Sequence, residues 1–387
     1  MDFLQSIHQK FLSLYGQQPL FVRSPARINL IGEHTDYNYG YVLPAAIDKE
    51  LLFAVAPNKV NQFRIFAYNF DDYVLIENQP LVPQTNKNKW TNYLMGVVVQ
   101  LQKLGFTVPT FDCVFGGNIP KGAGLSSSAA VECGLALALN TIFDFKLSKL
   151  DLVKISQKAE NEFVGVQCGI MDQFANTFGL KDQVILLDCK NLDYQLFPLQ
   201  LNDYQLILLD TDVHHSLASS EYNTRRKQCE AGVNILKKYE PYVNSLRDVN
   251  RETLEKYKKE FDYTIWKRCD YVVKENERVL AVCQSLKNAD IEDVGRKMFA
   301  SHLGLQYDYE VSCPELDFLV TFAANDGSVV GSRMMGGGFG GCTINIVRKE
   351  KAKSFIQRAT YAYAQHNGKK LKAYPIKIAD GTSICEN

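Results

Sequence analysis

The amino-acid sequence predicts an α+β fold divided into two domains. Stretches with helical and strand periodicity follow one another without regular alternation, which favours α+β over a doubly wound parallel sheet. The chain has 387 residues, enough for two domains by the usual length relationship. Hydrophobic residues make up 46% and charged residues 22%, which is the composition of an ordinary globular protein.

The individual elements follow from hydrophobic periodicity and from the turn residues between the periodic stretches. Strands are expected at 20–31, 50–57, 63–68, 111–115, 184–189, 205–210 and 341–347. Helices are expected at 2–15, 90–104, 127–143, 150–163, 219–238, 251–258, 266–286, 290–303, 314–325 and 350–365.

Charge and cysteine usage exclude several classes of protein. The 43 Lys and Arg balance 43 Asp and Glu, so no basic field for nucleic acid is present. The ten cysteines are scattered without a CxxC pair, which is typical of a reducing compartment. Polar residues interrupt the amphipathic first helix, so it is not a signal peptide, and no apolar run is long enough to span a membrane. We therefore expect a cytoplasmic monomer without nucleic-acid or membrane partners.

Residues 120–134, PKGAGLSSSAAVECG, carry the strongest local signal for ligand binding. The glycines allow the backbone to approach a ligand closely, and the serines stand at the expected start of a helix. The N-terminus of a helix offers free N–H groups and positive potential to a phosphate. The segment lacks the GxxxxGK[ST] pattern of a Walker A loop, and an ordinary Gly/Ser turn remains the alternative for this stretch alone.

Residues 24–40, SPARINLIGEHTDYNYG, predict a strand followed by a polar turn. The turn brings Glu33, His34 and Asp36 within four positions, and such carboxylate and imidazole groups suit the binding of several sugar hydroxyls. A solvated turn is the alternative, but Arg27 alternates with apolar residues and would need a partner if buried.

Residues 331–346, GSRMMGGGFGGCTINI, form the third glycine-rich segment. Gly336, Gly338 and Gly341 match GxGxxG formally, but a strand-like CTINIV follows where a dinucleotide site would need a helix. We therefore expect a loop that packs closely against another backbone or a ligand.

The three segments, in this order, resemble the motifs of the GHMP small-molecule kinases, and the 24–40 segment is similar to the galactokinase signature. The resemblance extends over nearly the whole chain and includes CGIMDQF at 168–174, SLASSEYNTRRKQCE at 216–230 and DYEVSCPELD at 308–317. It implies an N-terminal domain like domain 2 of ribosomal protein S5 at 1–180, to which 366–387 return. It also implies a ferredoxin-like C-terminal domain at 181–365, with the active site in the cleft between the two.

The activity implied by the resemblance is transfer of the ATP γ-phosphate to the C1 hydroxyl of galactose, with Mg²⁺ as cofactor. Asp172 matches the catalytic aspartate, as a general base or an orienting group, and Arg27 matches the active-site arginine beside it. Ser128 and Glu160 match the Mg²⁺ ligands. The residues that would bind ATP are Lys121, Gly122, Ala123, Gly124, Leu125, Ser126, Ser127 and Ser128.

The resemblance also implies a set of sugar contacts. Glu33 and His34 would bind the C6 hydroxyl, Asp36 the C3 and C4 hydroxyls, Tyr222 the C4 hydroxyl, and Gly169 would offer a backbone N–H. Two alternatives remain open. One is a related sugar-1-kinase acting on N-acetylgalactosamine, arabinose or galacturonate. The other is a non-catalytic galactose sensor, which the intact SSSAA stretch disfavours.

Three further features are expected to be structural. Asp212, His214 and His215 give only weak evidence of a zinc site. The helix that begins near Trp90 is expected to pack a core face, with a role near adenine implied only by the resemblance. The basic run 225–227 is expected to be a solvated helix face, because three basic residues are too few for nucleic-acid binding.

Overall fold

The computed structural model describes residues 3–214 and 218–385 as a mixed α+β structure, which confirms the predicted fold class. Its helices are α1 (Phe3–Tyr15), α2 (Asn92–Lys103), α3 (Ser127–Ile142), α4 (Lys149–Lys158), α5 (Met171–Phe178), α6 (Ala218–Lys237), α7 (Arg251–Lys256), α8 (Tyr263–Lys287), α9 (Ile291–Leu303), α10 (Pro314–Ala324) and α11 (Ala352–Asn367).

The strands of the described residues form three separate sheets. They are β1 (Leu20–Asn29), β2 (Tyr41–Val42), β3 (Pro44–Pro57), β4 (Gln62–Ala67), β5 (Asp72–Glu77), β6 (Phe111–Gly117), β7 (Gln183–Asp188), β8 (Tyr194–Pro198), β9 (Tyr204–His214), β10 (Val329–Met334), β11 (Gly340–Arg348), β12 (Lys372–Ile376) and β13 (Ser383–Ile384).

The first sheet has the strand order β13-β1-β3-β6-β4-β5 and is antiparallel except for the β4–β6 pair. One apolar face of it is covered by α2, α3 and α4, whose buried side chains form a continuous cluster with those of the strands. The β1–β3 register shifts between Pro25 and Arg27. Such a bulge re-aims the side chains beside it, and Arg27 comes directly after this one.

The second sheet, β10-β11-β9-β12, is fully antiparallel and packs against α9, α10 and α11. Strand β9 is apolar on both faces, because α10 and α11 cover one face while residues of the first half of the chain, with α8 and α9, cover the other. Strand β11 is apolar on the second of these faces but carries the buried polar residues Thr343 and Asn345 on the first. A small third sheet, β2-β7-β8, joins the turn after β1 to the middle of the chain.

A single buried cluster connects the two halves of the molecule. Ile28 and Leu30 of the first half pack in it together with Leu208 of β9, Ile344 of β11 and Val279 of α8. The cleft between the halves therefore has a shared apolar floor, above which polar side chains collect.

The structure departs from the sequence expectations mainly at short or half-exposed elements. The strands β2, β5, β8, β10, β12 and β13 were not expected, nor was α5. The expected helix 150–163 ends as an α-helix at Lys158 and continues as a π-helical turn, Ala159–Val164. The expected strand at 341–347 is present as β11.

The C-terminal segment divides between the two large sheets. β12 pairs with β9 in the second sheet, whereas β13 pairs with β1 in the first. The domain limits 1–180 and 181–365, with 366–387 returning, remain a prediction from sequence. Among the helices of residues 3–214 and 218–385, none combines the length and apolarity needed to cross a membrane.

Candidate active site

Two pockets lie on either side of the glycine- and serine-rich loop 120–128. The first pocket has a volume of about 390 Å³, and the charged side chains of Arg27, Glu33, Asp36 and Asp172 lie in its wall. The second has a volume of about 370 Å³ and is lined by the loop on one side and by aromatic side chains on the other. The first thus suits a polyhydroxylated ligand and the second a flat aromatic ring carrying phosphates.

The loop adopts a backbone that only some residues tolerate. Gly122 and Gly124 have φ values of +70° and +72°, which glycine adopts without strain. Ser126 has φ 54°, in the left-handed region where a residue with a side chain is strained. Helix α3 begins directly afterwards, and Ser126 at its N-cap position makes no side-chain cap. The first N–H groups of α3 therefore remain available to an anion at the edge of the second pocket.

Arg27 and Asp172 form a two-pronged ion pair at the junction of the pockets. Nε and Nη2 of Arg27 donate to the two carboxylate oxygens of Asp172 over 2.7 and 2.9 Å. Nη1 of Arg27 donates to the carbonyl of Gly124 over 2.7 Å, and the Ser126 hydroxyl donates to Asp172. The loop and the carboxylate are thus fixed to each other through one guanidinium group.

Asp36 lies in the first pocket, where burial and, next, the charge of Asp172 raise its pKa to about 7. Gly169 closes the space behind it, since a Cβ atom added there would lie 1.9 Å from Oδ2 of Asp36. Only glycine therefore permits this position of the carboxyl group.

Glu33 belongs to a buried ion pair that the sequence analysis missed. Its Oε1 accepts hydrogen bonds from Nη2 of Arg333 over 3.1 Å and from the N–H of Gly336 over 2.8 Å. Arg333 is fully buried and also donates to the carbonyls of Leu30 and Met334 over 2.9 and 2.6 Å. A buried arginine needs such a complete set of acceptors, and the result is a Glu33 side chain held rigidly at the pocket wall.

His34 is buried with φ 62°, and burial lowers its pKa to about 3. Its Nδ1 lies 2.7 Å from the hydroxyl of Tyr37, and its Nε2 lies 3.2 Å from the carbonyl of Gly337. The ring also packs against Tyr222, with centroids 5.3 Å apart. A ligand hydroxyl that contacts Nε2 of His34 must therefore share this nitrogen with the Gly337 carbonyl or displace the carbonyl from it.

Glu160 and Ser128 meet on the far side of Asp172. The Ser128 hydroxyl hydrogen-bonds the Glu160 carboxyl group, whose pKa is raised to about 7 by burial and then by the charge of Asp172. Gln173 donates from Nε2 to Glu160 over 2.8 Å and to the fully buried Glu132 over 3.2 Å. The hydroxyl oxygen of Ser128 and the carboxyl oxygens of Glu160 are hard ligands of the kind that Mg²⁺ prefers.

Two protein oxygens are few for a metal. In the described part of the chain, no group of three or more His, Cys, Asp and Glu residues could hold one. Mg²⁺ usually keeps several waters and substrate phosphates among its ligands, so two protein oxygens can be enough, and the Ser128 and Glu160 pair fits such a site.

The structure gathers most of the sequence-predicted residues at these two pockets. Lys121 extends its ammonium group over the ring of Phe70, 3.6 Å from the centroid. Ala123 and Gly169 are the exceptions, because Ala123 is fully buried in the shared apolar cluster and Gly169 is buried behind Asp36. The first pocket is lined by Arg27, Glu33, His34, Asp36, Glu160, Asp172 and Tyr222, and the second by Lys121, Gly122, Gly124, Leu125, Ser126, Ser127 and Ser128.

The structure corrects one structural interpretation from sequence and extends another. Arg225 is not part of a solvated face: it is buried, and it donates to the carbonyls of Tyr309 and Glu310 over 2.8 and 2.7 Å. Trp90 packs against Phe115 as expected, but it also lines the second pocket. His215 lies outside the described residues, so the weak zinc hypothesis stays untested.

The third glycine-rich segment packs where the sequence analysis expected. A Cβ atom at Gly336 would lie 3.3 Å from the carbonyl oxygen of Gly124, so the two glycine loops touch backbone to backbone. Gly336, Gly337 and Gly338 line the first pocket beside this contact.

Comparison with known proteins agrees with this geometry. Family models match residues 92–180 (GHMP kinases N terminal domain), 9–57 (galactokinase galactose-binding signature) and 283–365 (GHMP kinases C terminal). A galactokinase of Thermotoga petrophila is 42% identical over 93% of this chain and 98% of its own. The chain belongs to the galactokinase family of GHMP kinases.

Further relatives of the galactokinase family extend this result. A galactokinase of Clostridium acetobutylicum is 39% identical over 98% of this chain and 99% of its own. The crystal structure of Lactococcus lactis galactokinase complexed with galactose has a TM-score of 0.95 at 32% identity, covering 99% of this chain and 100% of its own. Methanococcus jannaschii mevalonate kinase, 16% identical over 95% of this chain and 100% of its own, shares the fold with a TM-score of 0.68.

Proposed function

We propose that the protein transfers the γ-phosphate of ATP to the C1 hydroxyl of galactose, giving galactose 1-phosphate and ADP. The observation that carries the proposal is the Arg27 bridge, because one guanidinium group binds both Asp172 in the first pocket and the Gly124 carbonyl in the loop of the second. Phosphoryl transfer requires mainly that donor and acceptor be held in line, and this bridge fixes the two sites relative to each other.

The nucleotide would occupy the second pocket. Its aromatic wall, formed by Trp90, Tyr93 and Phe115, offers ring faces to adenine, while the loop and the start of α3 offer N–H groups to the phosphates. Ser128 and Glu160 would hold Mg²⁺, which when bound offsets the negative charge of the phosphates.

The sugar would occupy the first pocket with its C1 hydroxyl at Asp172. Asp172 would accept the hydrogen bond of this hydroxyl and direct its oxygen towards the phosphate, while Arg27 offsets the charge that develops. Glu33 and His34 would contact the C6 hydroxyl. Asp36 would contact the C3 and C4 hydroxyls, with Tyr222 at C4 and the backbone of Gly169 closing the site.

The ionisation of Asp36 bears on its role. A carboxyl group with a pKa near 7 can be ionised by hydrogen bonds from two ligand hydroxyls, since donors to the charged form stabilise it. Because galactose and glucose differ at C4, a site that binds this hydroxyl rejects the epimer strongly.

The cellular setting is part of the same proposal. All ten cysteines are free thiols, which supports a reducing compartment such as the cytoplasm. Activity as a monomer belongs to the same proposal.

The experiment is an ADP-release assay with ATP and Mg²⁺ across galactose, 2-deoxygalactose, N-acetylgalactosamine, glucose, arabinose and galacturonate, with Asp172→Asn as the inactive control. Turnover of galactose with little turnover of glucose is the expected result. Preference for another sugar of the panel would mean that the protein catalyses the same phosphoryl transfer on a different substrate. Absence of turnover, with galactose still raising the melting temperature, would mean a sensor.

A further inference from the structure

A chain of hydrogen bonds runs from the wall of the first pocket into the interior of the second half of the molecule. Nε2 of His34 lies 3.2 Å from the carbonyl oxygen of Gly337, and Nδ1 lies 2.7 Å from the hydroxyl of Tyr37. That hydroxyl lies 2.8 Å from the hydroxyl of Tyr309, which in turn lies 3.2 Å from the thiol of Cys229. All four side chains are buried, so water does not compete for these bonds.

The direction of every hydrogen bond in this series follows from the Gly337 carbonyl at its first end and from the charge state of the imidazole. A backbone carbonyl only accepts hydrogen bonds, so Nε2 of His34 carries the proton that it shares with Gly337. The ring is neutral at pH 7, because burial lowers its pKa to about 3, and Nδ1 therefore only accepts. Tyr37 must then donate to Nδ1, and its oxygen accepts from Tyr309. Tyr309 in turn accepts from the thiol of Cys229, which completes a one-way series.

The chain joins residues from opposite halves of the sequence. His34 and Tyr37 belong to the turn after β1, whereas Cys229 lies on α6 and Tyr309 follows the π-helical turn Gly304–Asp308. The ring of His34 also packs at a tilt against those of Tyr222 and Tyr309, with centroid distances of 5.3 and 5.0 Å. The ring is thus held by aromatic packing as well as at its nitrogens.

Arg225 fixes the far end of the chain. Its guanidinium group donates to the carbonyls of Tyr309 and Glu310, and Glu310 has φ 54°. The hydroxyl of Tyr309 is therefore presented to Tyr37 from a backbone that is itself held in place.

We propose that Tyr37 is a positioning residue for sugar specificity: together with Tyr309, it fixes His34 as a hydrogen-bond donor at Nε2 and so selects a sugar with an acceptor hydroxyl at C6. The inference rests on the proposed function, because the contact of His34 with the C6 hydroxyl is part of that proposal. It adds that this contact depends on two tyrosines that do not touch the C6 hydroxyl themselves.

Removal of the Tyr37 hydroxyl has a defined consequence for the imidazole. Nδ1 then loses the donor that it has in this series of hydrogen bonds. The proton of His34 is free to move to Nδ1, or the imidazole ring is free to rotate by 180°. A sugar with a C6 hydroxyl then loses its fixed partner. A 6-deoxy sugar makes no such contact and loses nothing.

The test measures kcat/KM for galactose and for 6-deoxygalactose with the wild type, Tyr37→Phe and Tyr309→Phe. Tyr363→Phe is the matched control, since Tyr363 is also fully buried and its hydroxyl makes a 2.8 Å bond, to the carbonyl of Thr211 in β9. Tyr37→Phe should lower kcat/KM for galactose by about tenfold and for 6-deoxygalactose by less than about twofold, with the KM for ATP unchanged. Tyr309→Phe should act in the same direction, and Tyr363→Phe should leave the ratio of the two sugars as in the wild type.

The possible failures are distinguishable. Equal losses on both sugars with Tyr37→Phe would mean that the hydroxyl supports the fold alone, and the inference would be wrong. A wild type that does not discriminate between the two sugars would overturn the proposed C6 contact of His34 as well.

A second measurement needs no variant. Nitrogen-15 NMR of histidine-labelled wild-type protein should show His34 as the Nε2-protonated tautomer, unprotonated at Nδ1 down to about pH 5. An Nδ1-protonated tautomer in the wild type would overturn the inference even if Tyr37→Phe failed to fold. In folded Tyr37→Phe the signal should shift towards a mixture of tautomers.

Discussion

Asp36→Asn is expected to stabilise the unliganded protein at alkaline pH while it weakens galactose binding. The folded-state pKa of Asp36 is about 7, against 3.8 for the ordinary side chain. A carboxyl group with a raised pKa contributes its full stability below pH ~4 and loses it as the pH rises through ~7. The three-unit difference corresponds to about 4 kcal/mol, and because the group faces an open pocket we expect about 2 kcal/mol.

Urea denaturation at about pH 5 and pH 8 measures this effect. Between the two values, the free energy of unfolding of the wild type should fall by about 1 kcal/mol more than that of Asp36→Asn, because the rest of the effect develops between pH ~4 and pH ~5. The exposed Asp203→Asn is the control and should follow the wild type. If wild type and Asp36→Asn showed the same pH dependence, the argument that burial and Asp172 hold this group protonated would fail. At pH 8, the variant should also show a raised KM for galactose and an unchanged KM for ATP.

Three further substitutions test other parts of the site. Asp172→Asn should lower kcat by about 100-fold or more with little change in galactose affinity measured by calorimetry, and near wild-type turnover would refute its catalytic role. Glu160→Gln should raise the Mg²⁺ concentration needed for half-maximal activity by about tenfold, and an unchanged Mg²⁺ titration would remove Glu160 from the metal site. Gly169→Ala would place a methyl group 1.9 Å from Asp36, so the KM for galactose should rise several-fold while that for ATP stays constant; equal rises would indicate damage to the fold.

Sequence alone anticipated the parts of the site that lie in contiguous motifs. Arg27 could be identified because a charge inside an apolar strand needs a partner, and the loop could be identified because its glycines precede a helix. The structure then showed what the motifs could not show, which is that Arg27 and Ser126 hold the same carboxylate.

The missed residues are partners from distant segments. Arg333 lies 300 residues from Glu33, and no local pattern distinguishes it from a surface arginine until the fold brings the two together. Arg225 was misjudged for a related reason, because its two basic neighbours made the segment look solvated. Tyr37 and Tyr309, 272 residues apart, are likewise ordinary core tyrosines until their hydroxyls are seen to meet.

The missed strands have a different cause. β5 alternates exposed and less exposed positions, but the exposed Tyr73 and Leu75 are apolar, so the sequence itself shows no alternation. The strand also lies at the edge of its sheet, where half of its backbone has no strand partner. β2 and β13 have two residues each, too few for any periodicity. In both cases, pairing with the longer strands of the sheet determines the conformation, and the intrinsic β-propensity of the residues has little influence.

Cutting the chain near residue 180 would leave two pieces that each lack part of an interior. Ile28 and Leu30 would lose their contacts with the leucines of β9 and the isoleucines of β11. Each piece would then expose a large apolar surface to water. The two halves are therefore expected to melt in one transition, and separately expressed halves should aggregate unless they are produced together. Because this apolar cluster is continuous across the base of the cleft, we expect the loops at its rim to move more than its base when substrates enter and leave.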